Sequence, residues 1–438
     1  MTILELGRRL RARELSVREL TADTLRRVHR ANADLNAFIT IMDGHALERA
    51  DELDAMLARG EDLGPLHGIP IAHKDCILTK GIRTTGGSKI YRDYVPDRDA
   101  EVVTRLHAAG TVMIGKTGLH EFTAGISNVN PHYGAVHNPH DLTRVSGGSS
   151  GGSGAAVAAG LVPIATGTDT GGSIRIPAAF CGCVGLKPTY GRVSGEGVMP
   201  LGPSQDHVGP MAGNVADTAL LYGAMAGVEV GVVGGDVSDI RIGVPQNYFW
   251  DALEPEVRFW ARGAVQVIAA LGAKVCEMRV PEVGPLMEVA RVLLLCEAAA
   301  GLGRHSSREQ DFGADVWALM EQGRDFSAVQ YLEAQAARQE MAVEFAELWA
   351  DVDCLIMPTT PNLAFEIGTN TDRRPETTRL TRPFNLLGWP AISLPCGVSP
   401  AGLPIGVQLV AGPGREDVLF RAAGALEEGL KRKLPMVV

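Results

Sequence analysis

The chain has 438 residues, 45% of them apolar and 21% charged, an ordinary balance for a folded protein with one large core. A formal net charge of −10 argues against a nucleic-acid partner, because a phosphate backbone is held by a basic face. Seven cysteines scattered through so long a chain are not the framework of a small secreted domain and read as free thiols.

The N-terminus, MTILELGRRLRARELS, carries charges throughout and has no apolar core of a secretory signal. Ser16 is placed to cap a helix, with Glu19 closing the box and Leu20, Leu25 and Val28 forming an apolar stripe. A second charged helix is predicted from about Gly44 to Arg59, stopped by Gly60. Residues Ile69–Ala72 read as a strand, 100–109 as a helix and Thr111–Ile114 as a buried strand. An Ala-rich helix follows from Ser153, then a strand over Val162–Thr166. Further on, Asp239–Val244, Glu254–Leu271 and Lys274–Val280 read as strand, helix and strand, a βαβ unit. Residues 284–350 look helical throughout, and Asp353–Pro358 returns to the sheet. No linker, repeat or low-complexity tract divides the chain. The reading is a single α/β domain, a mixed, mostly parallel sheet covered by helices on both faces. Within it lie N-terminal helices (1–60), a catalytic core (61–245), a variable and mostly helical substrate wall (246–350) and a C-terminal return to the sheet (351–438). The longest small-and-apolar stretch, Ala219–Gly235, is broken by Glu229 and by glycines, so no membrane span and a cytoplasmic location are expected.

Three segments carry the chemistry. Ser146–Ser153 is a run of serine and glycine, and Gly167–Arg192 reads GTDTGGSIRIPAAFCGCVGLKPTYGR. Each run leads into an apolar stretch, so both are tight loops feeding packed elements. Glycines let backbone N–H groups crowd around a small anionic centre, and serines supply hydroxyls that attack or relay a proton. The third segment, His67–Ile77, sets Lys74 in an apolar run, where a lysine either snorkels or serves as a base of depressed pKa. Asp75, next to it on a strand, points to the opposite face. Two formal matches fail on context. Gly110–Thr117 fits the phosphate-loop formula, but its central residues read as a strand. Gly147–Gly151 fits the nucleophile elbow, but the polar residues 137–144 before it read as a loop.

Together the three segments resemble the amidase signature family, with Ser173 lying 24 residues after Ser149 and 99 after Lys74. The likeness runs from Ala37 through the LKPTYGR run and resumes at Arg382–Ser393 and Gly402–Leu409. The resemblance implies Lys74 as base, Ser149 as bridging serine behind a cis peptide from Gly148, and Ser173 as nucleophile. It also implies an oxyanion hole from the N–H groups of Thr170, Gly171, Gly172 and Ser173, with Thr123 facing the substrate. Ser150 and Ser153 are candidates to support the triad. Asp169 and Arg175 read as a buried pair steadying the nucleophile loop, with Arg175 as a substrate-carboxylate ligand the alternative. His67, His73 and His207, the candidates for a rival Ser–His arrangement, are read as structural. The expected reaction is hydrolysis of a small-molecule amide through an acyl-enzyme, without metal or organic cofactor; a homodimer is compatible with the sequence. Ile176, where the glutaminase chains of amidotransferases carry glutamine, and Cys296–Arg304, in place of a Tyr-Asp-Gly run, favour a stand-alone amidase over the glutaminase chain of a glutamyl-tRNA amidotransferase. A catalytically dead binding protein on the same scaffold is the other alternative.

Overall fold

Parallel strands need a crossover between them, and the chain supplies one near each edge of its sheet. Strand Pro70–Lys74 passes through helix Glu101–Ala108 to the parallel strand Val112–Thr117. Strand Arg241–Pro245 passes through helix Pro255–Ala270 to the parallel strand Lys274–Met278. The computed structural model describes residues 1–369 and 373–433, in which eleven strands form one sheet. From one edge the order is Phe38–Ile41, Val112–Thr117, Pro70–Lys74, Ile164–Asp169, His207–Ala212 and Val184–Lys187. It continues through Ala391–Val398, Pro404–Ala411, Cys354–Pro358, Arg241–Pro245 and Lys274–Met278.

The mixed sheet and its helical cover are as the sequence predicts. The expected parallel majority is not found: six of the ten pairings are antiparallel. The cause is connectivity. No helix lies between Lys187 and His207 or between Val398 and Pro404, so those strands turn back on each other in the centre of the sheet.

The predicted helices form, and the predicted cap is found at the first of them. Ser16 and Glu19 close a capping box on Val17–Leu35, and the second helix spans Asp43–Ala58. The region predicted helical to residue 350 holds Val283–Leu302, Ala314–Arg324 and Ala328–Ala346, with a 3₁₀ turn over Gly303–Asp311. The phosphate-loop look-alike is indeed the strand Val112–Thr117, with Lys116 fully buried. Residues 137–144, expected as a loop, instead belong to a two-stranded ribbon of His137–Asn138 with Asp141–Val145, outside the main sheet. All seven cysteines are free thiols. Among the described residues no helix is long and apolar enough to cross a membrane.

Candidate active site

Strands Pro70–Lys74 and Ile164–Asp169 are parallel neighbours, with His73 opposite Thr166. Their carboxyl ends therefore open on the same side of the sheet, the edge at which α/β sheets place their ligands. Lys74 ends the first strand. Its Nζ lies 2.7 Å from Ser149 Oγ, 2.9 Å from Ser150 Oγ and 2.7 Å from Thr168 Oγ1, and it is fully buried. Burial lowers its pKa to about 8, against the partial upward pull of Cys76, Asp169 and Asp206. Three hydroxyls suit an amine in either state, three N–H donors when charged, two donors and one lone pair when neutral. Ser150 already donates its own proton to Thr168 O at 3.1 Å, so toward Lys74 it is an acceptor. Ser149 is placed to hand a proton to the amine.

Ser149 and Ser150 precede helix Gly151–Ala158, whose small residues let it approach closely. A Cβ at Gly152 would lie 2.5 Å from the backbone of Gly118. The Gly148–Ser149 peptide is cis. His120 N–H donates to Ser149 O at 3.3 Å, and Ser150 N–H to Ser173 O at 3.2 Å, which brings the two serine loops together. Ser173 is the most accessible of the three residues at 7% exposed, while Lys74 and Ser149 are at 0%.

The nucleophile loop leaves the strand at Asp169, whose carboxylate organises it. Gly172 N–H donates to Asp169 Oδ1 at 2.7 Å and Ile174 N–H to Oδ2 at 3.2 Å. Arg175 pairs with the same carboxylate at 3.0 Å from both Nε and Nη2. These partners hold Asp169 well below the usual carboxylate range even though burial pushes it up. The buried-pair reading of Asp169 and Arg175 is what the structure contains. Arg175 is fully buried and also bonds Gln408 and Asn385, so it does not face a substrate. The expected oxyanion donors narrow: Gly172 N–H is committed to Asp169. The N–H groups of Thr170, Gly171 and Ser173 have no such bond among the described residues.

Ser173, Thr170, Gly171 and Thr123 line a narrow pocket of about 30 Å³. This pocket shares Leu294, Leu319, Arg374, Thr378 and Arg382 with a cleft of about 500 Å³, so one leads into the other. Of the expected wall, helices Val283–Leu302 and Ala314–Arg324 border the cleft; helix Pro255–Ala270 packs elsewhere, against the sheet. Ser153 corrects another expectation. Its hydroxyl bonds Thr117 Oγ1 at 2.8 Å and Thr166 O at 2.9 Å, one helical turn from the triad, and supports the sheet rather than Lys74.

The histidines are occupied elsewhere. His67 bonds backbone at Leu63 and Leu53, and His73 bonds Thr166 Oγ1 at 3.1 Å, with burial lowering it to about 3. His207 bonds Gln205 O at 2.7 Å, and burial lowers its pKa as well. Among the described residues no cluster of His, Cys, Asp or Glu could hold a metal ion.

Sequence reasoning missed Thr168, and it missed the segment that locks the nucleophile loop from the far end of the chain. Thr381 Oγ1 donates to Gly171 O at 2.7 Å, and Asn385 Nδ2 to Asp169 O and Oδ1 at 2.8 Å. A separation of about 210 residues leaves no spacing signal; only the likeness of Arg382–Ser393 pointed to that segment at all.

Comparison with known proteins gives the family and the fold. The chain is 38% identical to the A chain of the glutamyl-tRNA(Gln) amidotransferase from Koribacter versatilis, with 96% of each protein covered. It is 41% identical to the protein of the same name from Chromohalobacter salexigens, covering 94% of this chain and 92% of that one. A solved amidase structure shares 36% identity and a TM-score of 0.92 over 98% of this chain and 99% of that one. These relatives do not support the expected preference for a stand-alone amidase over an amidotransferase component. The amidase family model matches residues 19–420, and the chain belongs to the amidase signature family.

Proposed function

We propose that this chain cleaves an amide C–N bond through an acyl-enzyme on Ser173, with Ser149 relaying protons to and from Lys74. The observation that carries this is the buried Lys74 amine, enclosed by hydroxyls of Ser149, Ser150 and Thr168, with no carboxylate of the described residues in hydrogen-bond contact. Neutral Lys74 takes the Ser149 proton as Ser149 takes that of Ser173, and Ser173 Oγ attacks the carbonyl. The N–H groups of Thr170, Gly171 and Ser173 face the developing oxyanion. The proton returns through Ser149 to the departing nitrogen, which must be protonated to leave, and water resolves the ester by the same route.

The relatives favour the glutaminase component of a glutamyl-tRNA amidotransferase as the setting, in which the released ammonia passes to a partner chain. A stand-alone hydrolase is the second reading, supported by the likeness to the solved amidase and by Ile176, which is packed in the buried core. Assaying ammonia release from primary amides by the purified chain separates them. A stand-alone enzyme turns over without partners; an amidotransferase component turns over weakly until its partner chains are added. In either setting Ser173→Ala is expected to retain under about a hundredth of the parent rate. It should also lose labelling by a fluorophosphonate. Retained labelling would move the nucleophile to another residue.

A further inference from the structure

The cleft that reaches Ser173 contains three arginines, and their charges are not equally compensated. Arg291 pairs with Glu288 at 2.7 Å. Arg374 donates to Ala124 O at 2.6 Å and lies 3.9 Å from Asp315, which His120 holds at 2.7 Å. Arg382 differs from both. It is 9% exposed, and its Nε has no hydrogen-bond partner among the described residues. The groups acting most strongly on its charge are Arg374, Arg291 and the phenol of Tyr248, with no carboxylate among them in the described residues. A buried guanidinium without an anion is costly, and such a group is retained where a ligand supplies the missing charge.

The position of this guanidinium matters as much as its lack of a counterion. A Cβ built on Gly171 would lie 3.2 Å from Arg382 Nε and 3.5 Å from Nη2, so the side chain lies against the loop assigned above to the oxyanion. Arg382 lines both the narrow pocket at Ser173 and the wider cleft. Its neighbours on the same segment, Thr381 and Asn385, fix Gly171 and Asp169, so it is held in register with the nucleophile. A planar fork so placed suits the two oxygens of a carboxylate.

We propose that Arg382 is a specificity-determining residue that binds a carboxylate of the substrate, selecting amides with a negative charge a short carbon spacer from the scissile carbonyl. This rests on the amide-cleaving reading above and adds the substrate class. The charge would be met inside the cleft, where water is scarce and a charge-assisted pair discriminates strongly.

The test compares succinamate with butyramide, four-carbon amides with and without a terminal carboxylate, using the full chain and whatever partners its turnover requires. The parent is expected to favour succinamate in kcat/KM by about 10- to 100-fold, the range of a hydrogen bond to a charged group. The effect should lie mainly in KM, because the carboxylate is bound in ground state and transition state alike. In Arg382→Gln the ratio should collapse toward unity, with Arg382→Lys intermediate, since an ammonium keeps the charge and loses the fork. Being a ratio, it is insensitive to a partly folded preparation. Binding of succinate to Ser173→Ala, by calorimetry, reads the same site without catalysis and should be lost on adding Arg382→Gln. Turnover of both amides at equal efficiency would overturn the carboxylate site while leaving the hydrolytic reading intact. A preference that survives in Arg382→Gln would overturn the assignment to Arg382. Failure to cleave any amide, together with succinate binding that depends on Arg382, would overturn the reaction and keep the site.

Discussion

Lys74 and Lys116 stand on adjacent parallel strands, in register with Thr117 and His73 respectively, and both are fully buried. Burial lowers the pKa of each, yet they are built for opposite tasks. Lys116 Nζ bonds the Ile77 carbonyl and the hydroxyls of Thr79 and Thr84, with Asp75 Oδ1 at 3.8 Å. Those two hydroxyls already donate their protons, Thr79 to Ile77 O at 3.4 Å and Thr84 to Ile82 O at 3.1 Å. Lys116 is thus surrounded by acceptors alone, which demand an ammonium with three N–H groups. Lys74 has Ser149 among its neighbours, a hydroxyl placed to donate, and among the described residues no carboxylate in hydrogen-bond contact. Burial by itself does not make a base. The donor and acceptor character of the surrounding atoms decides it.

Exchanging each lysine for methionine is the severest test of this contrast. Lys74→Met should lower the acylation rate by about 10²–10⁴-fold, the contribution of a general base, and leave the fold intact. Lys116→Met should leave kcat/KM of the folded fraction near that of the parent and act on stability instead. Stopped-flow acylation and circular dichroism on both variants read the two effects separately. Equal loss of rate in the pair would abolish the distinction.

A second test removes the counterion. Asp75→Asn strands the Lys116 ammonium in a dry interior, and breaking such a buried pair costs about 3–5 kcal/mol. Urea denaturation should show that loss, largely recovered in the double variant Asp75→Asn/Lys116→Met. An Asp75→Asn protein as stable as the parent would mean that Lys116 is held by its carbonyl and hydroxyls alone.

The third sharpens the comparison through pH. With Lys74 titrating at about 8, the rate should climb about tenfold per unit below that value and level off above it, and this limb should vanish in Lys74→Arg. The sign for stability follows from the same shift. The folded chain releases this proton near 8, the unfolded chain near its ordinary 10.5, so between those values the unfolded state binds more protons. Stability should therefore rise with pH across that window, and below about 8 the penalty of burying the charged amine is present in full. Denaturation of parent and Lys74→Met at pH 7 and pH 10 should show the gap between them narrowing at the higher pH.

Much of the site is legible in the sequence. Ser146–Ser153 and the GTDTGGSIR run announce tight loops because glycine and serine are grouped there ahead of apolar stretches. Lys74 stands out because a lysine among Ile69, Ile71, Ala72 and Ile77 conflicts with its surroundings. The opposite facing of Asp75 also follows from strand alternation, and its carboxylate is found toward Lys116. Around the triad candidates, two expectations fail for identifiable reasons. Ser153 looks like support for the triad because it shares a motif with Ser149, but one helical turn carries its hydroxyl to Thr117 and Thr166. Gly172 looks like an oxyanion donor because it shares a loop with the other candidates, but Asp169 claims its N–H.

The sequence by itself determined most of the elements, the Ser16 cap and the candidates proposed to react, since these depend on periodicity, on local turn chemistry and on residue types that are costly to misplace. Only the tertiary structure decided which atoms meet. Thr168 reaches Lys74 because two parallel strands end side by side, and Thr381, Arg382 and Asn385 reach the nucleophile loop from about 210 residues away along the chain. Hydrogen bonds and charge pairs are read over a few ångströms, and no pattern within one stretch of chain specifies which distant stretch will supply the partner.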